Sequence, residues 1–171
     1  MRIVIGFRAS IALAATLVIT FTRPDTAALA LVLFAGFGLL SGLGSLAIGL
    51  IGGRAGALNV TPQGAIAILA AASALWALAT SPLTQLAFFK LIVLTYLLLN
   101  TVFEAYLGRS VGLKTVEGRE HLIAAGLALL FSIIYVVLNP EPLNAAGFLG
   151  AYFALSAVHQ GIWAASPTKA D

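Results

Sequence analysis

Few side chains in this sequence can do acid–base or ligand chemistry, and their spacing limits what that chemistry is. Lys90, Asn100 and Glu104 share one apolar stretch, Thr84 to Leu107. Lys90 stands in Phe88-Phe89-Lys90-Leu91-Ile92. A cation at the centre of a bilayer costs about 2.5–3.5 kcal/mol on insertion scales. Three readings are therefore open: the amine snorkels to the interface on its long stem, it pairs with a buried carboxylate, or it lines a polar path. Glu104 follows 14 residues later, a rise of roughly 21 Å along a helix, so the two cannot pair within it. Glu104 falls near a basic helix end, within reach of Arg109 or Arg8, which implies an interfacial carboxylate. Asn100, one turn earlier, suits an interhelical hydrogen bond.

His121 and His159 are the only histidines. Both fall near helix ends, where interfacial polar residues are common, although histidine also suits pH sensing. Glu104, Glu120, His121 and His159 have no metal-ligand spacing on one helix, such as His-Glu-x-x-His. The absence of cysteine excludes disulfides, thiol catalysis and thiolate metal sites. Serines are present, but none is marked as a nucleophile by a nearby base and acid. The run Gly36-Phe37-Gly38-Leu39-Leu40-Ser41-Gly42 comes near a dinucleotide fingerprint, but Ser41 replaces the third glycine and no strand precedes it. Gly38 and Gly42 instead form a small-xxx-small pair, extended by Gly36, Gly44 and Gly49, of the kind that lets membrane helices pack closely. No cofactor is expected, and nothing points to an enzyme.

The elements that carry these residues follow from composition. Of 171 residues, 61% are hydrophobic and 9% charged, against about a quarter charged in soluble domains. Such a surface would aggregate in water. Six stretches approach the roughly 20 residues that cross a bilayer: Ile3 to Phe21, Thr26 to Ile51, Gln63 to Thr80, Thr84 to Leu107, His121 to Leu138 and Asn144 to Ala165. The alternation of barrel strands is absent. The predicted fold is an all-α polytopic membrane bundle of about six transmembrane helices. Three connections are short and hold Pro24, Pro82 and Pro140, where proline stops a helix. Two are longer and basic, Gly52 to Pro62 and Gly108 to Glu120. Trp76, Tyr96 and Trp163 suit helix packing and interfacial aromatic belts.

Charge sets the orientation. Arg2, Arg8, Arg54, Arg109, Lys114, Arg119 and Lys169, seven of the nine basic residues, lie at the termini or in the longer loops, and only Arg23 lies in a short turn. The positive-inside rule then puts both termini in the cytoplasm, as an even number of spans requires. Arg2 and the apolar run after it resemble a signal peptide, but no clear small-residue cleavage site follows. The basic residues are too scattered for a nucleic-acid surface. The expected partners are the lipid bilayer and, within it, a second copy of the chain or another membrane protein.

Pro24, Pro82 and Pro140 are each 58 residues apart. The helix after each carries an aromatic and then, four residues later, a small polar residue: Phe37 and Ser41, Tyr96 and Asn100, Tyr152 and Ser156. That spacing puts both on one helix face. The pattern predicts three parallel helical-hairpin repeats, about 3–51, 63–107 and 119–165, in a single transmembrane domain 1–171.

In these hairpins the chain resembles the HdeD-like acid-resistance membrane proteins. The first unit carries the likeness best, with Phe7-Arg8-Ala9-Ser10, Arg23-Pro24-Asp25 and Ala35-Gly36-Phe37-Gly38-Leu39-Leu40-Ser41-Gly42. The third follows with Arg119, Pro140 and Gly150-Ala151-Tyr152-Phe153-Ala154-Leu155-Ser156. The second departs from it, because Asn100 and Thr101 replace small residues and Lys90 is added. The resemblance implies a non-enzymatic protein of the bacterial inner membrane linked to acid stress, with no catalytic residues to carry over. The alternative from the residues alone is a small transporter or channel with a polar path through Lys90, Asn100 and Glu104.

Overall fold

A computed structural model describes residues 2–51 and 53–166. Among the described residues there are six helices: α1 (Arg2–Thr22), α2 (Ala27–Ile51), α3 (Gly53–Leu78), α4 (Pro82–Val111), α5 (Val116–Leu138) and α6 (Pro142–Ala165). Four contain stretches long and apolar enough to cross a membrane: Ile3–Thr22, Ala27–Ile51, Pro82–Val111 and Val116–Leu138. In α3 the apolar part, Pro62–Leu78, is shorter. The chain is a membrane-embedded helical bundle.

Local chemistry sets the helix ends. Pro82 and Pro142 begin their helices instead of preceding them, because the missing N–H of proline costs nothing in a first turn. Asn139 closes α5 in the left-handed region at φ 42°, which asparagine tolerates better than most residues. The Thr115 hydroxyl caps α5 by accepting from the Gly118 N–H at 2.9 Å.

The two longer connections contract. The segment expected as a loop from Gly52 to Pro62 is helical from Gly53, so Pro62 lies inside α3. Packed membrane helices tolerate such a proline because neighbouring groups satisfy the freed carbonyl. The second loop shrinks to 112–115 between α4 and α5. The turn is tight because Gly118 presses on the preceding backbone: a Cβ there would stand 2.1 Å from the Gly112 carbonyl oxygen.

Helices α2, α4 and α6 all touch one another, and the other three fill the gaps around them. Helix α1 lies between α6 and α2, α3 between α2 and α4, and α5 between α4 and α6. The most extensive pairs are α2 with α3, α1 with α6, and α4 with α5. Antiparallel alternation gathers Arg109, Lys114 and Arg119 at a basic end and Pro24, Pro82 and Pro140 at a proline end.

The glycines divide by helix face. A Cβ on Gly38 would meet the Ala67 carbonyl oxygen at 2.7 Å, and one on Gly42 would meet the Gly64 carbonyl oxygen at 2.8 Å. These two therefore let α2 and α3 approach backbone to backbone. Gly44 lies under the ring of Phe7 on α1. Gly36 packs against nothing, with no atom within 4 Å of a Cβ built there. It stands two residues before Gly38, about 200° around the helix, and so faces outward. The expectation of a packing role for Gly36 is corrected on this ground.

The polarity is inverted relative to a soluble protein. Phe21, Leu83 and Val137 are among many large apolar side chains on the outside, while Gln63, Asn100, Glu104, His121 and Ser45 are buried. Towards the proline end the interior is mainly apolar, with Leu31, Phe34, Phe89, Val93, Leu97, Leu149 and Phe153 fully buried beside the buried polar Gln85 and Ser132. An aromatic layer closes this half where α2, α4 and α6 meet. Phe37 lies 4.0 Å from Phe153 and 6.2 Å from Tyr96 between ring centroids.

Candidate functional site

Below that aromatic layer, towards the basic end, each inner helix carries two polar residues at successive four-residue steps. They are Ser41 and Ser45 on α2, Asn100 and Glu104 on α4, and Ser156 and Gln160 on α6. Five of the six are buried, and the Gln160 Oε1 is shielded as well. The step of four keeps them on the inward face of the helix. The outer helices add Arg8 from α1, Gln63 from α3 and His121 from α5.

These groups converge on Glu104, which is 5% exposed. Gln63 bridges it to Arg8: the guanidinium donates to Gln63 Oε1, and Gln63 Nε2 donates to Glu104 Oε1. The Arg8 Nη1 itself lies 3.8 Å from Glu104 Oε1. The other carboxylate oxygen, Oε2, is 2.6 Å from His121 Nδ1. An ionised carboxylate only accepts, so against it Nδ1 is the nitrogen that carries a hydrogen. Four helices thus contribute to one acid–base cluster. Removing any member would leave a buried partner unsatisfied.

The cluster borders a cavity of about 30 Å³ lined also by Val4, Ile5, Leu107, Gln160 and Trp163. That is room for one or two waters. Two buried polar atoms in its lining have no protein partner among the described residues: His121 Nε2 and Gln160 Oε1. A second His–Glu pair lies nearby. His159 Nε2 donates to the Glu120 carbonyl oxygen at 3.1 Å, and its Nδ1 is 3.5 Å from Glu120 Oε2. The indole of Trp163 packs on both imidazoles, 5.0 Å from His121 and 6.4 Å from His159 between centroids.

The three polar residues singled out from the sequence do not lie together. Lys90 is at the proline end, where its Nζ donates to Asn139 Oδ1 at 2.7 Å in an exposed contact. Asn100 is buried but turns back on its own helix, donating to the Tyr96 carbonyl oxygen at 2.8 Å. Only Glu104 joins the cluster; it lies near Arg8, as its place by a basic helix end suggested, and it is buried because α1, α3 and α5 cover it. Arg8, Gln63 and His121 complete the site. Gln63 and His121 stand 58 residues apart, the same interval as the prolines, and that was the available signal. Among the described residues, no group of three or more His, Asp or Glu side chains is placed to hold a metal ion. Comparisons with protein-family models, curated proteins and solved structures find no match for this chain.

Proposed function

We propose that this chain is a non-enzymatic protein of the bacterial inner membrane, of HdeD-like type, whose buried cluster responds to acidification of the cytoplasm. In this reading all six helices span the bilayer as three parallel hairpins, and the basic end with both termini is cytoplasmic. The equal proline spacing supports the repeat. So does the way α2, α4 and α6 meet, each bearing an aromatic and two polar residues in series. The basic residues at one end support the orientation.

The observation that carries the functional reading is the Glu104–His121 contact at 2.6 Å, buried and linked through Gln63 to Arg8. Ionisable groups inside a membrane bundle are costly and tend to be functional. With His121 neutral, Arg8 and Glu104 balance. A proton on His121 or Glu104 leaves one uncompensated positive charge at the centre of four helices. That penalty favours a looser basic end, and a rearranged basic face is what a membrane partner or a second copy would meet.

The geometry favours this reading over a transporter or channel. Lys90, Asn100 and Glu104 do not line one path, and aromatic rings fill the junction of the inner helices. The test is survival of a deletion strain after an acid challenge. Survival should fall on deletion, return with the wild-type gene, and stay low with His121→Gln present in the membrane fraction at normal levels. A deletion strain that survives as well as its parent overturns the proposal.

A further inference from the structure

Where α1 and α6 meet at the proline end, they leave a groove of about 570 Å³, within the roughly 300–1,000 Å³ of sites that hold small ligands. Its mouth is polar, with Thr20, Arg23 and Asn144, and its floor is apolar, with Ile19, Phe148 and Ala154. Two further grooves, about 330 Å³ between α1 and α2 and about 290 Å³ between α3 and α4, have no charged residue in their linings. Arg23 is exposed, and the ion pairs among the described residues are made by Arg8, His121 and His159 instead. Asp25, two residues on, does not pair with it, and Glu141 at the start of α6 does not line the groove. The arginine is also strained where it stands. Its N–H closes α1 on the Ile19 carbonyl oxygen at 3.0 Å with φ at 45°, a left-handed position that glycine or asparagine fills more easily. Asn139 closes α5 in the same region, also one residue before a proline, and its side chain accepts from Lys90 of α4. In the α1–α6 groove the helix facing Arg23 offers Asn144 and Gly147, and no acid.

Length decides what fits. Asn144 and Ala154 are ten residues apart on α6, about 15 Å along the axis, which is one leaflet of a hydrocarbon core about 30 Å thick. A free phosphate would use the mouth and leave the apolar floor bare. We propose that the α1–α6 groove binds one phospholipid, with its phosphate on Arg23 and one acyl chain along Ile19, Phe148 and Ala154. A guanidinium donates in pairs to phosphate oxygens, which adds direction to the charge attraction. The Thr20 hydroxyl and the Asn144 amide, both exposed at the mouth, add further donors. The phosphate supplies the counter-charge that no side chain brings to Arg23, and the acyl chain stays in hydrocarbon. The site lies at the opposite end of the bundle from the Glu104 cluster and does not depend on how that cluster is read.

The full chain, stripped of lipid in a non-ionic detergent, is titrated with dioleoylphosphatidylglycerol and read by native mass spectrometry. The parent should hold one lipid per chain at concentrations where further lipids bind only in a weak, unsaturated series. Arg23→Gln should weaken that first lipid about tenfold, the loss of a charged hydrogen bond. Gly147→Leu should weaken it by filling the groove. A Cβ at Gly147 has no atom within 4 Å, so the added side chain takes the lipid's place without pressing on the bundle. Lys90→Met should bind as the parent does, because Lys90 is held by Asn139 outside the groove. Inorganic phosphate in large excess should not displace the lipid. Parent affinity in Arg23→Gln or in a folded Gly147→Leu overturns the proposal. So does an equal loss in Lys90→Met, which would mark general charge attraction. Displacement by inorganic phosphate, or chain dimers that exclude the lipid, would overturn it too. Arg23 is exposed, so Arg23→Gln decides even if Gly147→Leu disturbs the fold.

Discussion

Replacing Glu104 with leucine probes the cluster most severely. The substitution keeps a side chain of similar bulk and removes both acceptor oxygens. Arg8 then loses its counter-charge at 3.8 Å, and His121 Nδ1–H and the Gln63 amide lose their acceptor. The Arg8 side chain is 19% exposed and that of Glu104 is 7%, so water can rescue little of this. Breaking a buried pair by removing one partner costs about 3–5 kcal/mol. An unmade buried hydrogen bond costs about 1–3 kcal/mol, but these losses overlap and do not sum. The expected destabilisation of Glu104→Leu is about 3–5 kcal/mol. It would be read from reversible unfolding in bicelles by trapping the unfolded chain with a bulky binder. Arg8→Leu in the same background should give a coupling energy above about 1 kcal/mol, since residues in one network do not add. A cost for Glu104→Leu below about 1 kcal/mol, or strict additivity with Arg8→Leu, would refute the reasoning.

Three further outcomes follow from the packing. Gly42→Ala should destabilise by about 1–3 kcal/mol through overpacking, because the Gly64 carbonyl oxygen stands 2.8 Å from the new Cβ; Gly36→Ala, with nothing within 4 Å, should stabilise α2 by up to about 1 kcal/mol, and parallel unfolding curves compare the two. Lys90→Met should change stability by less than about 1 kcal/mol, since its bond to Asn139 is exposed, and membrane insertion assays should show no loss. Tyr135→Phe should cost about 1–2 kcal/mol in the same unfolding assay, because the buried hydroxyl donates to the Ala145 carbonyl oxygen between α5 and α6.

The membrane-embedded, helical character was legible in the sequence because it depends on composition and run length, and α1, α2, α4 and α5 carry it in uninterrupted apolar stretches. Helix ends were less legible. Proline at Pro82 and Pro142 reads equally as the last loop residue or the first helical one, and Pro62 reads as a break although it sits within α3. The site was legible only in part. The aromatic-to-polar spacing found Ser41, Asn100 and Ser156, and its charge singled out Glu104, but the matching residues on the other two faces, Ser45 and Gln160, were not read. Continuing the step by four would have reached Ser45 and Gln160. The cluster joins residues from four helices: its hydrogen-bonded pairs are 17 to 55 positions apart along the chain, and Arg8 and Glu104 are 96 apart. Such contacts depend on helix rotation and neighbour order, which run composition does not encode. Lys90 drew attention because a charge in an apolar run is visible in one dimension. Its proximity to Asn139 across the bundle is not.

The central feature of the site is the buried contact in which His121 Nδ1 faces Glu104 Oε2 at 2.6 Å, with Nδ1 the donor to an ionised carboxylate. Histidine-selective ¹⁵N NMR of the protein in lipid nanodiscs observes this directly, with His121→Gln assigning the two side chains. At neutral pH, His121 should carry its hydrogen on Nδ1 and leave Nε2 bare, and acidification should protonate Nε2. His159 should show the opposite tautomer, because its Nε2 donates to the Glu120 carbonyl oxygen. A His121 ring with hydrogen on Nε2 and a bare Nδ1 at neutral pH would contradict the account, since it could not donate to Glu104.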